Sequence, residues 1–388
     1  MNVPAYVLPI IVVAQFCCTS LWFAGNAVIV NLSQNLNLAE TALGHITSAV
    51  QFGFISGTLL FAIFAIADRF SPSKVFFVCA LSGAIVNLAI IVDGYSLEVL
   101  LGLRFLTGFF LAGIYPVGMK IAADHFQKGL GKSLGYLVGA LVLGTAFPHL
   151  VNNLTASLPW KSVIVATSTL ATIGGAMMLI FVDDGPLRKL NSQFDLKGWF
   201  NVFNNKSFRA SAFGYFGHMW ELYAFWAFVP AILVTFNQLH PEFAFNVAVF
   251  SFLIIGAGSF ACVAGGYLAR HFGELKVAST ALFLSGGCCL LSPLALLYAT
   301  PIVFISFLIF WGMVVIADSP LFSTLVARHA PADIQGTALT ITNCIGFAIT
   351  IISIQLITLL FTTWSATHAF LFLVIGPVLG LIALHRKS

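Results

Sequence analysis

The feature that most constrains this chain is the way its basic residues alternate with long apolar runs. Twelve runs of about 20 mostly apolar residues can be marked, and this is the length of a helix that crosses a bilayer. Fifteen of the 17 Lys and Arg residues lie at every second junction between the runs. Because cytoplasmic loops collect Lys and Arg, the pattern predicts a polytopic helical membrane protein with an even number of spans and both termini in the cytoplasm.

The basic residues at these junctions define one side of the predicted membrane protein. They are Arg69, Lys74, Lys120, Lys128, Lys132, Arg188, Lys189, Lys197, Lys206, Arg209, Arg270, Lys276, Arg328, Arg386 and Lys387. Of the remaining two, Lys161 lies at an opposite junction and Arg104 lies inside a run. The segments Asn31–Glu40 and Gln238–Glu242 are therefore expected on the other side of the membrane.

The predicted spans fall into two groups of six. They are Tyr6–Val30, Thr41–Ala67, Val75–Asp93, Leu97–Ala122, Ser133–Ser157, Ser162–Val182, Phe208–Phe236, Phe243–Ala269, Val277–Ala299, Pro301–Val326, Thr337–Phe361 and Ala366–Leu384. Between the sixth and seventh lies a longer polar segment, residues 183–207, which we expect to be a cytoplasmic linker. The predicted domains are therefore residues 1–182, the linker 183–207, and residues 208–388.

Composition excludes several classes of protein. Hydrophobic residues make up 60% of the chain and charged ones 8%, whereas soluble domains carry about 25% charged residues. The net charge of +4 lies at membrane edges, so it indicates contact with lipid and not with nucleic acid. The seven cysteines form no CxxC pair, so no metal or disulfide framework is predicted. We expect no cofactor, a monomer in the lipid bilayer and a small-molecule substrate.

Three pairs of sequence features repeat at nearly one spacing. Ala67–Lys74 and Gly266–Lys276 follow spans 2 and 8 and are offset by 202 residues. Tyr115-Pro116 and Ser319-Pro320 in spans 4 and 10 are offset by 204, and Trp22 and Trp220 in spans 1 and 7 by 198. Such agreement indicates two duplicated six-helix halves, an arrangement that many secondary transporters share.

The segment from Phe64 to Lys74 resembles the loop signature of the major facilitator superfamily, usually written G-x-L-a-D-r-x-G-r-k. Asp68 and Arg69 match it, while the copy in the second half has Arg270 where the acid belongs. Arg104 and Gly108 are similar to the family's R-x-x-x-G motif in span 4. The resemblance implies an all-α fold of twelve transmembrane helices in two pseudo-symmetric bundles. It also implies that Asp68, Arg69 and Arg270 form a conformational gate on the cytoplasmic side.

Few ionisable side chains lie within the predicted spans, and each is a functional candidate because its burial in hydrocarbon is costly. Glu221 and His218 are three residues apart on one helix, so they are expected to share a face and touch. A carboxyl beside an imidazole can load and release a proton near neutral pH. The alternative is a structural hydrogen bond that holds span 7 against its neighbours.

Three other ionisable residues have open interpretations. Arg104 has a planar fork that suits a carboxylate or phosphate, so it can bind an anionic substrate or assist proton coupling. It can equally form a buried ion pair or cap a neighbouring helix end. Asp318 precedes Ser319-Pro320, where the proline predicts a kink and a moving gate, unless the acid is simply hydrated from the cytoplasm. His149 is a weaker substrate candidate.

Five of the aromatic residues in the spans are singled out because each carries a polar donor that can contact a solute. They are Trp22, Trp220, Tyr223, Trp226 and Tyr115. Trp22 and Trp220 are related by the repeat and are expected at symmetric positions about a central cavity. Asn26, one turn beyond Trp22, adds a neutral hydrogen-bonding group. The alternative for such residues is the aromatic belt at the membrane surface.

These observations favour a secondary transporter over other membrane proteins. Arg104, His149 and the polar aromatics favour a small organic anion or zwitterion as the solute, although Glu221 and Asp318 argue for a cation. The chain contains no nucleotide-binding motif of the form GxxxxGK[ST], so ATP is not expected to drive transport. We expect a proton gradient to drive it, and we expect the protein in a bacterial inner membrane. A proton-driven drug or metabolite exporter is the alternative. Gly135 and Gly139 resemble the G-x-x-x-G-P motif in span 5 of drug/proton antiporters, but Ala140 replaces its proline. A membrane-embedded enzyme would need a catalytic cluster that the sequence lacks.

Overall fold

A computed structural model describes residues 3–36, 38–39, 41–126, 130–188, 202–331 and 334–385 of the chain. Every regular element in these ranges is a helix. The chain divides into two compact units, residues 1–195 and 196–388. The boundary falls inside the predicted linker, of which residues 189–201 lie outside the described ranges, so the domain bounds and the linker's side of the membrane stay predictions.

Ten helical segments among the described residues are long and apolar enough to cross a membrane. In the first unit they are Ala42–Ile63, Pro72–Ile91, Leu97–His125, Ser133–Leu154 and Lys161–Phe181, which are spans 2 to 6. In the second unit they are Lys206–Leu239, Val247–Phe272, Glu274–Tyr298, Pro301–His329 and Gln335–Thr363, which are spans 7 to 11. Spans 1 and 12 contain the shorter apolar helices Val7–Thr19 and Ala369–His385. The predicted all-α membrane fold is confirmed.

The first and last spans differ from the predicted continuous helices because each is interrupted. Span 1 stops at Thr19 and resumes as two short helices, Ala24–Ala27 and Ile29–Leu36. Span 12 begins as a 3₁₀-helix, Ala369–Val374, and continues as an α-helix, Ile375–His385. Each interruption frees backbone carbonyls that need a hydrogen-bond donor from elsewhere.

Spans 4 and 10 break at positions related by the repeat. Span 4 consists of Leu97–Leu111 and Tyr115–His125, and span 10 of Pro301–Ala317 and Ser319–His329. In both spans a proline lies at the start of the second helix. Proline fits the first turn of a helix but cannot continue an existing one. The interruption that Pro320 predicts is therefore present, and it places Asp318 between the two helices.

Close helix packing within each unit depends on repeat-related glycines. A Cβ added to Gly108 of span 4 would lie 2.0 Å from the carbonyl oxygen of Val50 in span 2. A Cβ added to Gly312 of span 10 would lie 2.1 Å from the carbonyl oxygen of Ile254 in span 8. Gly108 and Gly312 are 204 residues apart, so the same type of glycine–carbonyl contact holds the equivalent helix pair in each unit. Small residues at such interfaces allow the backbones of membrane helices to approach.

Candidate functional site

Glu221 lies in the middle of span 7 and is hydrogen-bonded by side chains of two other spans. Trp311 Nε1 of span 10 donates to its Oε1 at 2.6 Å, and Ser285 Oγ of span 9 donates to its Oε2 at 2.8 Å. Cys289 Sγ, also in span 9, lies 3.3 Å from Oε1. The side chain is 1% exposed. All three of these partners are neutral, so the carboxyl can change its protonation without separating from a counter-ion.

A second buried pair lies one turn earlier on span 7. His218 Nδ1 is 2.8 Å from Asp318 Oδ1, and both side chains are 1% exposed. The rings of Tyr215 and Phe322 flank the imidazole at 6.1 and 6.2 Å. Asp318 is therefore buried in this conformation, and its predicted role in a moving gate stays a prediction.

The predicted contact between His218 and Glu221 is replaced by contacts to other helices. His218 pairs with Asp318, whereas Glu221 bonds to spans 9 and 10. Residues three apart on a helix point in directions about 60° apart, so neighbouring helices can capture each side chain separately. Span 7 thus presents an acid and an imidazole to different partners.

Arg104 is fully buried, and its guanidinium is bound to the first unit's own backbone. Nη2 donates to the carbonyl oxygens of Leu21 and Trp22 at 3.2 and 2.5 Å. Nη1 donates to Asn87 Oδ1 at 3.1 Å. Leu21 and Trp22 lie in the interruption of span 1, so Arg104 supplies donors to carbonyls that the break has freed. This is the helix-end alternative that the sequence left open, and it removes the main reason for favouring an anionic solute.

Asn87 connects Arg104 to the opposite side of the same unit. Its Nδ2 lies 3.2 Å from Thr167 Oγ1 and 3.0 Å from Ser168 Oγ, both in span 6. Together Arg104 and Asn87 join spans 1, 3, 4 and 6 through side chains. No carboxylate accepts a hydrogen bond from Arg104 among the described residues, so this network carries a positive charge without an ion pair.

The two repeat-related tryptophans occupy different surroundings. Trp22 is buried and its ring lies 4.9 Å from that of Phe54. Trp220 is only half-buried, and its Nε1 donates to the carbonyl oxygen of Phe372 at 3.1 Å. Phe372 belongs to the 3₁₀-helix of span 12, so Trp220 supports an interrupted helix. The two tryptophans thus have different partners, and their symmetric placement about a central cavity stays a prediction.

The remaining candidates for solute contact lie in both units. Tyr223 is buried and packs against Trp226 and Phe347 at 5.3 and 5.2 Å between ring centroids. In the first unit, Tyr115 is half-buried and starts the second helix of span 4.

Two polar side chains of the first unit are buried deeply. Asn26 Nδ2 donates to Thr47 Oγ1 at 2.8 Å. His149 is buried and its Nε2 has no hydrogen-bond partner within the described ranges. The roles predicted for these two residues and for the tyrosines stay predictions.

The residues of the predicted gate lie at the ends of spans 2 and 8. Asp68 pairs with Lys120 of span 4 at 3.0 Å, which is a contact inside its own unit. Arg69 and Arg270 are exposed, and the guanidinium of Arg270 lies 5.5 Å from the ring of Tyr267. The gating role predicted for these three residues stays a prediction.

Sequence reasoning missed the partners of Glu221. Ser285, Cys289 and Trp311 are 64, 68 and 90 residues away along the chain. Single Ser, Cys and Trp residues are common in membrane helices, so none of them carried a local signal. In the part of the chain that the structure describes, no group of three or more His, Cys, Asp or Glu residues is arranged to hold a metal ion.

Comparisons with known proteins agree on the fold. A model of the Major Facilitator Superfamily matches residues 11–354. No curated protein matches the sequence significantly. Many solved structures match this chain, and three transporters that resemble it over its whole length serve as examples.

The human organic anion transporter MFSD10 (TETRAN) has a TM-score of 0.74 at 14% identity, over 98% of this chain and 100% of that one. A mutant of the nucleoside transporter NupG has a TM-score of 0.71 at 16% identity, over 98% and 97%. A bacterial homolog of the human lysosomal transporter Spinster, in an inward-facing and unoccupied conformation, has a TM-score of 0.68 at 13% identity, over 99% and 95%. At such identities the likeness shows the fold alone.

Proposed function

Because this chain belongs to the major facilitator superfamily, we propose that it is a proton-coupled secondary transporter of a small polar organic solute. Its family and its structural neighbours indicate a transporter and not an enzyme. In such transporters a binding site is exposed to each side of the membrane in turn. The observation that carries the proton-coupled proposal is the set of neutral donors around Glu221.

The hydrogen bonds of Glu221 suit both of its protonation states. Ser285 Oγ lies 2.8 Å from Glu221 Oε2 and 3.1 Å from the carbonyl oxygen of Leu282. When Glu221 is ionised, the hydroxyl of Ser285 donates to Oε2. When Glu221 is protonated, Oε2 donates to Ser285, whose own hydrogen turns to Leu282. Because an indole N–H only donates, Oε1 accepts from Trp311 in both states, and the proton belongs on Oε2.

The pair of His218 and Asp318 links this chemistry to the break in span 10. Both groups exchange protons in water, and His218 lies one turn from Glu221 on span 7. We propose that the protonation of Glu221 and the protonation of the His218–Asp318 pair together determine the position of span 10. Asp318 is the second candidate for the transported proton.

The charge pattern supports a location for the protein. Lys and Arg residues gather at alternate loops, and the cytoplasmic side of membranes collects them. We propose that both termini lie in the cytoplasm and that the membrane is a bacterial inner membrane. Labelling of a single cysteine at position 195 from outside intact cells, by a reagent that does not cross membranes, would contradict this orientation.

Transport in proteoliposomes tests the proposed coupling. Solutes are first screened for stabilisation of the purified protein, and a stabilising solute is then used in uptake with an imposed pH gradient. Glu221→Gln keeps the shape of the side chain but removes its titration, so accumulation against a gradient should fall to the level of empty liposomes, while solute exchange continues. Glu242→Gln is the matched control, because Glu242 is an exposed glutamate of the same unit.

Two results would change the proposal. Uphill accumulation by Glu221→Gln with a wild-type pH dependence would make Glu221 structural and move the search to Asp318. If lipophilic cations stabilise the purified protein, and if they are transported away from the side of the membrane on which the linker lies, the drug exporter would be favoured.

A further inference from the structure

The buried amides of the first unit fall into two classes. Asn87 is completely buried, and its side-chain oxygen and nitrogen are both hydrogen-bonded. Gln51 is equally buried, at 0% exposure, but neither its Oε1 nor its Nε2 has a partner within the described ranges. Asn26 is 2% exposed, and its Oδ1 is also without a partner there.

Gln51 and Asn26 belong to one surface where span 1 meets span 2. Asn26 Nδ2 donates to Thr47 Oγ1 at 2.8 Å, and Gln51 lies one turn after Thr47. Phe54, three residues beyond Gln51, packs against Trp22 with ring centroids 4.9 Å apart. Since positions three and four apart share a helix face, Gln51 lies between a polar contact and an aromatic contact with the interrupted span 1.

The fold does not require amides at these positions, because the second unit replaces them. The contact of Gly108 with Val50 recurs in the second unit as that of Gly312 with Ile254. This offset of 204 residues pairs Thr47 with Ser251 and Gln51 with Ile255, and the offset of 198 in span 1 pairs Asn26 with Ala224. The second unit therefore builds the same helices with apolar side chains in place of the two amides. A buried amide without partners lowers the stability of a fold, and its presence in one unit alone points to a ligand that supplies the missing hydrogen bonds.

We propose that Gln51 and Asn26 bind the transported solute and that this solute is uncharged, with hydroxyl or amide groups that both donate and accept hydrogen bonds. The proposal rests on the proposed function, since it presumes a transporter, and it replaces the anion or zwitterion favoured by the sequence. Amide oxygens accept, and the Gln51 Nε2 group donates, so a polyol, sugar or nucleoside satisfies both. Trp22 and Phe54 provide apolar faces for the carbon skeleton.

The surroundings of Arg104 argue against an anionic solute at this place. Arg104 Nη1 and Nη2 are engaged by Asn87 and by two carbonyls of span 1. Its Nε lies beside Gly25, where an added Cβ would be only 3.3 Å away. Nε has no hydrogen-bond partner among the described residues, but both terminal nitrogens are engaged, so the fork that would bind a carboxylate or phosphate is occupied.

A stability comparison separates a ligand site from a structural role. Gln51→Leu removes unpaired groups, so it should raise the melting temperature of the solute-free protein by about 2–4 °C. Asn87→Leu removes a buried amide whose atoms are hydrogen-bonded, and it should lower the melting temperature. Gln51→Met is a second variant of similar length in case the branched side chain does not fit. A fall in melting temperature in both Gln51 variants would overturn the proposal.

A binding comparison identifies the class of solute. Wild-type protein is screened for thermal stabilisation with hexoses, pentitols and nucleosides, and separately with mono- and dicarboxylates. We expect stabilisation by members of the uncharged panel only, with its loss in Gln51→Leu. Stabilisation by carboxylates alone, or by an uncharged solute that persists in Gln51→Leu, would overturn the proposal, the latter result showing that the amides hold only water.

These readouts also keep the two proposals apart. Binding to the purified protein needs no gradient, so a failure of coupling at Glu221 leaves the binding result unchanged. Conversely, if Gln51 does not bind an uncharged solute, the transport assay can still test whether Glu221 couples protons to a solute of another class.

Discussion

The two units place opposite kinds of group at the centre of related helix sets. In the first unit, Arg104 of span 4 joins spans 1 and 3. In the second, Glu221 of span 7 joins spans 9 and 10. Spans 1, 3 and 4 correspond to spans 7, 9 and 10 in the repeat, and Asn87 and Cys289, which contact the two groups, are 202 residues apart. The same framework thus holds a base in one unit and an acid in the other.

The difference lies in what each group can change. An arginine stays protonated under all ordinary conditions, and Arg104 is occupied by carbonyls that a broken helix has freed, so it is suited to a permanent structural role. Glu221 is bound by neutral groups, one of which can reverse the direction of its hydrogen bond. Under the two proposals above, the first unit serves stability and solute contact, and the second unit serves proton exchange.

The largest effect should come from Arg104→Leu. It leaves the carbonyls of Leu21 and Trp22 and the side-chain oxygen of Asn87 without their donor, and each such loss costs about 1–3 kcal/mol. We therefore expect the free energy of unfolding to fall by about 3 kcal/mol or more, measured by denaturation of the detergent-solubilised protein. Arg104→Lys keeps the charge but loses the planar fork, so its free energy of unfolding should lie between those of the wild type and Arg104→Leu. A variant that unfolds like the wild type but no longer binds solute would make Arg104 a solute ligand.

A smaller effect should appear in a double-mutant cycle on the buried pair of the second unit. His218→Gln and Asp318→Asn each remove one ionisable group of the 2.8 Å pair, and the double variant removes both. The coupling energy should be about 1–3 kcal/mol in unfolding measurements. Additive effects of the two substitutions would show that the pair does not stabilise the joint between spans 7 and 10.

The smallest effect should come from Trp220→Phe. It removes one hydrogen bond to the carbonyl of Phe372, which contributes about 1 kcal/mol, and solute transport should continue. Trp22→Phe is the repeat-related control, and it should alter solute affinity more than Trp220→Phe does. Loss of transport in Trp220→Phe without loss of stability would restore the symmetric roles predicted for the two tryptophans.

Local signals in the sequence predicted most of the fold. Alternating basic residues marked the loops, and Pro320 marked the break in span 10, because charge and proline act where they stand. Pro116 was identified only as the repeat partner of Pro320, and the break it accompanies in span 4 was not predicted. The break in span 1 has no such signal, since residues 20–23 read Ser-Leu-Trp-Phe. Because the break was not predicted, the free carbonyls to which Arg104 donates could not be predicted either.

The site was predicted less completely, because its contacts join distant parts of the chain. Glu221 and His218 were identified as buried ionisable groups from their position alone. Their expected mutual contact followed from helix spacing, but tertiary partners on spans 9 and 10 determine where both side chains point. Gln51 was missed because a single amide in a membrane helix looks the same in sequence whether or not it is hydrogen-bonded.

We propose that Glu221 exchanges a proton through Oε2 while the rest of its hydrogen bonds persist, and infrared spectroscopy tests this most directly. Infrared difference spectra of the purified protein, recorded on lowering the pH, report the carbonyl stretch of newly protonated carboxyl groups. We expect a band that is absent in Glu221→Gln and shifted in Ser285→Ala, which removes the hydroxyl partner of Oε2. A spectrum of Glu221→Gln identical to that of the wild type would show that Glu221 does not exchange the proton.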